Sequence, residues 1–132
     1  MANAIYPLYK QELLQGSANT ALSGTIKVAL VDSGTYAYSA AHQFLSSLSG
    51  VVGTAQTLAS KTFVNGVFDA ADITFTAVSG ASAEALVAYI DTGVAGTSRL
   101  ICYLDTGYTN LPVTPNGGDI AVQWAAGGIF TI

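Results

Sequence analysis

Three stretches of the chain end an apolar run in aspartate and follow it with a hydroxyl residue and glycine: Val31-Asp32-Ser33-Gly34, Ile90-Asp91-Thr92-Gly93 and Leu104-Asp105-Thr106-Gly107. Asp-Thr-Gly is the pattern in which aspartic peptidases hold a catalytic carboxylate. That chemistry needs two carboxylates about 3 Å apart sharing one proton. The segment from Leu86 to Gly93 nearly repeats from Leu100 to Gly107, with Gly96-Thr97-Ser98 in the connection. Such copies read as adjacent antiparallel strands, which sends their aspartates to opposite ends of the fold. A homodimer would have to pair one copy with its mate, yet neither the apolar-apolar-Gly element nor the flap of such enzymes can be placed. The plainer role is turn formation: Asp and Thr bond nearby backbone groups, and Gly supplies positive φ.

The remaining reactive residues are isolated. His42 is the only histidine and Cys102 the only cysteine. A Ser-His-Asp or Cys-His relay would pass through His42, but no Gly-x-Ser-x-Gly elbow exists. Cys102 alternates with Leu100 and Leu104, which points its thiol into the core as a small hydrophobe. Gly50-Val51-Val52-Gly53 lacks the Lys and Ser or Thr of a phosphate loop. Asn116-Gly117-Gly118-Asp119 has oxygen ligands without the spacing of a calcium loop. The expectation is no enzyme, no catalytic residue, no cofactor and no metal. Seven tyrosines remain, and tyrosine joins apolar area to one polar handle, which suits interfaces. Tyr36 and Tyr38, in the loop-like run Gly34 to Ser39, stand out as surface candidates.

The elements that position these residues follow from periodicity. Asn3 is a candidate cap for a helix with Pro7 in its first turn that ends at Gly16, with Tyr9, Leu13 and Leu14 as its apolar stripe. A weaker helical turn is expected between Ala40 and Leu48. Ile26, Val28 and Leu30 alternate along a half-buried strand from Gly24 to Asp32. Asn65-Gly66 between apolar runs marks a hairpin. Ile73, Phe75 and Ala77 share one strand face, and Ile120, Val122 and Trp124 another. Ala85 to Ile90 and Leu100 to Leu104 are apolar on both faces and should lie deepest. The apolar ending Ile129-Phe130-Thr131-Ile132 reads as a tied-down strand. Seven or eight short strands with one helix, residues 1–16 forming the helical segment, predict a mainly β single domain over 1–132, an antiparallel β-sandwich with the jelly roll as one arrangement.

Composition narrows the partners. Charged residues are 9% of the 132, and four Lys plus Arg against eight Asp plus Glu give a net charge of −4. Scattered Lys10, Lys27, Lys61 and Arg99 form no basic patch for a phosphate backbone, so nucleic acid is not expected. No apolar run reaches the roughly 18 to 20 residues of a membrane span, so no membrane is expected. Met-Ala-Asn-Ala-Ile lacks the parts of a secretory signal, and the expected place of synthesis and folding is the cytosol.

Several segments together resemble small virion structural proteins of tailed bacteriophages: Tyr6-Pro-Leu-Tyr-Lys-Gln-Glu-Leu-Leu-Gln-Gly16, Ile26-Lys-Val-Ala-Leu-Val-Asp32, Tyr36-Ala-Tyr-Ser39, Lys61-Thr-Phe-Val-Asn-Gly-Val-Phe-Asp69, Leu111-Pro-Val-Thr-Pro-Asn-Gly-Gly-Asp119 and the Gly-Gly-Ile-Phe-Thr-Ile ending. The likeness covers nearly the whole chain. It implies a β-sandwich cement or decoration protein, made in the host cytoplasm and carried on the capsid exterior. The implied partner is the major capsid protein, with a homodimer or homotrimer on a symmetry axis. A tail or baseplate component, or a carbohydrate-binding adhesion module, is the alternative. On this reading the candidate contacts are Ile5, Tyr6, Leu8, Tyr9, Tyr36 and Tyr38. In the competing reading the N-terminal helix caps an open end of the sandwich through Leu13 and Leu14.

Overall fold

In the computed structural model, which describes residues 3–16, 24–108 and 110–132, the two segments that are apolar on both faces lie at the centre of the main sheet. The elements are β1 (Ala4–Ile5), α1 (Pro7–Gln15), β2 (Thr25–Val31), β3 (Val51–Thr57), β4 (Thr62–Val64), β5 (Val67–Asp69), β6 (Ile73–Phe75), β7 (Ala85–Asp91), β8 (Arg99–Leu104), β9 (Ile120–Val122) and β10 (Phe130–Thr131). The fold is mainly β and antiparallel, with one short α-helix. A five-stranded sheet runs β1-β8-β7-β2-β3, a three-stranded sheet runs β10-β5-β4, and β6 pairs with β9. The strands thus divide into sheets of five, three and two where the sequence allowed an eight-stranded jelly roll. Phe68, Ile73, Phe75, Ile120, Val122 and Trp124 from the smaller sheets join β2, β7 and β8 in one apolar core. That is packing of the sandwich type.

Register assigns the two faces of the large sheet. Val28 opposes Ala88 and Ala88 opposes Cys102, which stacks these small side chains in one row. Val87 opposes Tyr103 on the other face. There the Tyr103 ring meets those of Tyr36 and Tyr38 at 6.3 and 5.6 Å. The repeated segments do form adjacent antiparallel strands, β7 and β8. At the predicted hairpin, Asn65 (φ 52°) and Gly66 (φ 77°) take the left-handed conformations that a two-residue turn demands.

Several local expectations change. Asn3 does not cap α1: the cap position is Tyr6, without a side-chain bond, and Pro7 opens the helix. Asn3 instead accepts the amides of Asp105 and Thr106 and donates to the Thr106 carbonyl. The helix ends at Gly16 as expected, in the left-handed conformation. Its apolar stripe is not buried as a whole, since Leu14 is 90% exposed and only Tyr9 is inside. Between Ala40 and Leu48 there is only a short 3-10 turn, Leu45–Ser47. Ala77 leaves the strand at φ 48°, and Val78 takes the inward place. In β2, Ala29 and Val31 are buried along with Ile26, Val28 and Leu30, because β2 lies between β7 and β3 and both its faces are covered.

Gly50 is a position where close packing leaves no room for a side chain. A Cβ there would sit 2.9 Å from Thr35 Cβ and 3.0 Å from the Asp32 carbonyl oxygen, at φ +66°. Its carbonyl receives the Asp32 amide at 2.8 Å, tying the entry of β3 to the end of β2. Gly50→Ala is expected to destabilise by about 1–3 kcal/mol and to lower the melting temperature by several degrees, read by circular dichroism. Gly96→Ala, at a site with nothing within 4 Å, should melt with the parent. Equal melting of the two variants would contradict the assignment.

Candidate binding groove

The N-terminal segment is anchored from three directions. β1 pairs with β8, Ala4 opposite Tyr103 and Ile5 opposite Cys102. The Tyr6 amide donates to the Ile101 carbonyl at 2.9 Å. From α1, Glu12 reaches the Arg99 guanidinium at 3.5 Å, and that guanidinium lies 4.9 Å above the Phe44 ring.

Tyr6 is fully buried, and its hydroxyl bonds the Tyr36 hydroxyl at 2.7 Å. Tyr36 OH in turn contacts His42 Nδ1 at 2.7 Å. The phenols are thereby satisfied inside the core, which is the condition for burying tyrosine. Burial pushes the Tyr6 phenol well above its ordinary range, and that of Tyr9 up to about 12.

This arrangement divides the six residues that sequence put forward as contacts. Tyr6, Tyr9 and Tyr36 are core residues, 0%, 3% and 2% exposed, and their rings offer a partner no surface. The loop around Tyr36 is polar in sequence, but the ring folds back under it to meet Tyr6 and His42. Ile5, Leu8 and Tyr38 are half-buried, and of these Ile5 and Tyr38 line a groove of about 600 Å³. Leu104, Ile129 and Phe130 continue its apolar lining, and Lys10 is the charged side chain in it. The groove runs between two sheet edges, β1 of the large sheet and β10 of the three-stranded sheet. Sequence reasoning missed its second wall because the apolar C-terminal run signalled a strand, with nothing to say that its free edge would face β1.

The aspartates are engaged in turns. Asp32 accepts the Gly34 amide at 2.9 Å and the Thr35 hydroxyl at 3.1 Å. Asp91 accepts the Gly93 amide at 3.0 Å and pairs with Lys27 at 3.4 Å. The Gly93 bond, ahead of Lys27, holds the Asp91 carboxyl below its usual range, the reverse of the raised value found in a proton-sharing pair. Asp105 accepts the Thr106 hydroxyl at 3.0 Å. Since Leu86 opposes Leu104, Asp91 and Asp105 lie at opposite ends of the hairpin, about 20 Å apart along the strands. Cys102 is fully buried, and burial pushes its thiol up to about 12, away from thiolate chemistry. Asn116 and Asp119 spend an oxygen each on the amides of Gly118 and Ala77. Among the described residues no group of three His, Cys, Asp or Glu side chains is placed to hold a metal, and no helix is long and apolar enough to cross a membrane.

Fold and groove together define an antiparallel β protein whose exposed apolar concavity lies between sheet edges. Comparison with protein-family models and with curated proteins finds no match to the chain.

Proposed function

We propose that the protein is a virion structural protein that binds the assembled capsid of a tailed bacteriophage from outside and stabilises it, as cement or decoration proteins do. The observation that carries this reading is the sequence resemblance, which runs from the Tyr6-Pro7 segment to the Gly-Gly-Ile-Phe-Thr-Ile ending. The structure supports it in kind. A shell clamp needs a stiff scaffold and a surface that pairs with a neighbour, and here a continuous core holds unpaired sheet edges beside an apolar groove. The partner on this reading is the major capsid protein, and the protein sits as a homodimer or homotrimer on a symmetry axis. A glycan-binding platform built on Tyr36 loses its footing, since that ring is core.

Mass spectrometry of separated heads and tails, followed by reconstruction of the head, tests the proposal. The chain is expected in heads, as density outside the capsid lattice, and heads lacking it should lose resistance to heat or chaotrope. Absence from the particle overturns the proposal. Presence in tails alone overturns it in favour of a tail or baseplate component.

A further inference from the structure

The two strands that flank the groove have their free backbone groups aimed at it. In an antiparallel ladder, hydrogen-bonded and non-bonded pairs alternate. The Tyr6 amide bonds Ile101, so the preceding pair, Ile5 with Cys102, is a non-bonded one. The N–H and C=O of Ile5 therefore point away from β8. On the other wall, the Ile132 amide bonds the Gly66 carbonyl at 2.9 Å, and Thr131 opposes Val67. By the same alternation, the N–H and C=O of Thr131 point away from β5. Ile5 and Thr131 both line the groove. Both edge strands are only two residues long, and neither has a charged side chain or a proline within it.

Charge adds a second requirement. The chain has four Lys plus Arg. Lys27 pairs with Asp91, Arg99 with Glu12, and Lys61 donates to the Gly24 carbonyl. Lys10, in the groove, makes no ion pair or side-chain hydrogen bond among the described residues. A cation left open beside apolar walls, in a chain of net charge −4, complements a carboxylate.

We infer that the groove takes up an extended segment of a partner protein as an added β-strand, apolar at alternate positions and carrying an Asp or Glu that meets Lys10. The segment bonds the outward groups of Ile5 and Thr131 and bridges the edges of the five-stranded and three-stranded sheets. Backbone bonds would supply affinity, and Tyr38, Leu104 and Phe130 would select the apolar side chains. The inference goes beyond the virion reading, and it holds or fails without it.

The test is selection of a random library of peptides of about ten residues, the length of a long strand, against the full chain. The expected pool is rich in β-branched and aromatic residues at alternate positions with an acidic residue among them. Its bound peptide should slow amide exchange at Ile5 and Thr131. Thr131→Pro removes an outward donor without touching the ladder to β5, and Lys10→Glu reverses the charge. Each should weaken binding about tenfold, with unchanged melting of the free protein. No enrichment, a basic or strand-poor pool, binding that leaves both amides unprotected, or binding that survives both variants overturns the inference. Dimerisation of the chain that protects the same two amides overturns it in favour of a second copy.

Discussion

A chain lacking residues 1–16 is expected to be largely unfolded at room temperature. The truncation removes Tyr6 and Tyr9, which are 0% and 3% exposed, and deletion of a buried aromatic side chain removes about 3–5 kcal/mol each. It also strips β1 from β8, exposing the ladder groups of Ile101 and Tyr103, and it removes the Glu12 partner of Arg99. The two aromatics alone account for roughly 6–10 kcal/mol, comparable with the whole stability of an ordinary domain, about 5–15 kcal/mol. The measurement is the far-ultraviolet spectrum and thermal melt of the isolated truncate. A truncate that keeps the native spectrum and melts within a few degrees of the parent would show that the segment is an attached arm and not part of the core. Leu13 and Leu14 contribute little here, being 39% and 90% exposed. Because the segment is structural, loss of partner binding on truncation says nothing about where the partner sits. The point variants in the groove serve that purpose.

Tyr36→Phe is the second large effect expected. The Tyr36 hydroxyl is the link between the buried Tyr6 hydroxyl and His42 Nδ1, at 2.7 Å to each. Its removal leaves a phenol in the interior without its partner, and an unsatisfied buried polar group costs about 1–3 kcal/mol. Tyr6→Phe, which deletes the other end of the same bond, should lower stability by a similar amount. The double variant restores an all-apolar contact, so its loss should fall well short of the sum of the two single losses. Denaturant unfolding of the four proteins gives the coupling directly. Additive losses would mean that the two hydroxyls act independently and that the relay carries no stability of its own. His42 lies at the half-buried end of the chain of bonds, where water can replace a lost partner, so its truncation should matter less.

Much of the fold was legible in the order of residue types. The central pair β7 and β8 announced itself because a strand flanked by neighbours and covered on both faces has no place for a polar side chain, and Ala85 to Ile90 and Leu100 to Leu104 contain none on the inner positions but Tyr and Cys. Asn65-Gly66 and Gly16 were readable because positive φ restricts the residue type strongly. The turn role of Asp91 was readable from Asp-Thr-Gly itself, since the carboxylate and the amide it accepts are two residues apart. These are local constraints, and each is met within a few residues of the position that imposes it.

The placement of the tyrosines was not of that kind. A loop tyrosine and a core tyrosine have the same neighbours in sequence, and what holds Tyr36 in the core is packing on the Tyr103 ring and a bond to the hydroxyl of Tyr6, 30 residues away. Asn3 likewise has the chemistry of a helix cap, but the amides of Asp105 and Thr106 lie closer to hand once β1 pairs with β8. The groove is the extreme case, since its walls bring residues 3–10 and 129–131 together with Tyr38 and Leu104, and its shape depends on which edges the two sheets leave free. Sequence by itself determined the antiparallel β character, the central hairpin, the helix end and the turns, because those follow from steric and hydrogen-bonding preferences over short spans. Only the tertiary structure decided which aromatic rings are core and which edges face each other, because burial is a property of contacts between residues that the chain order keeps far apart.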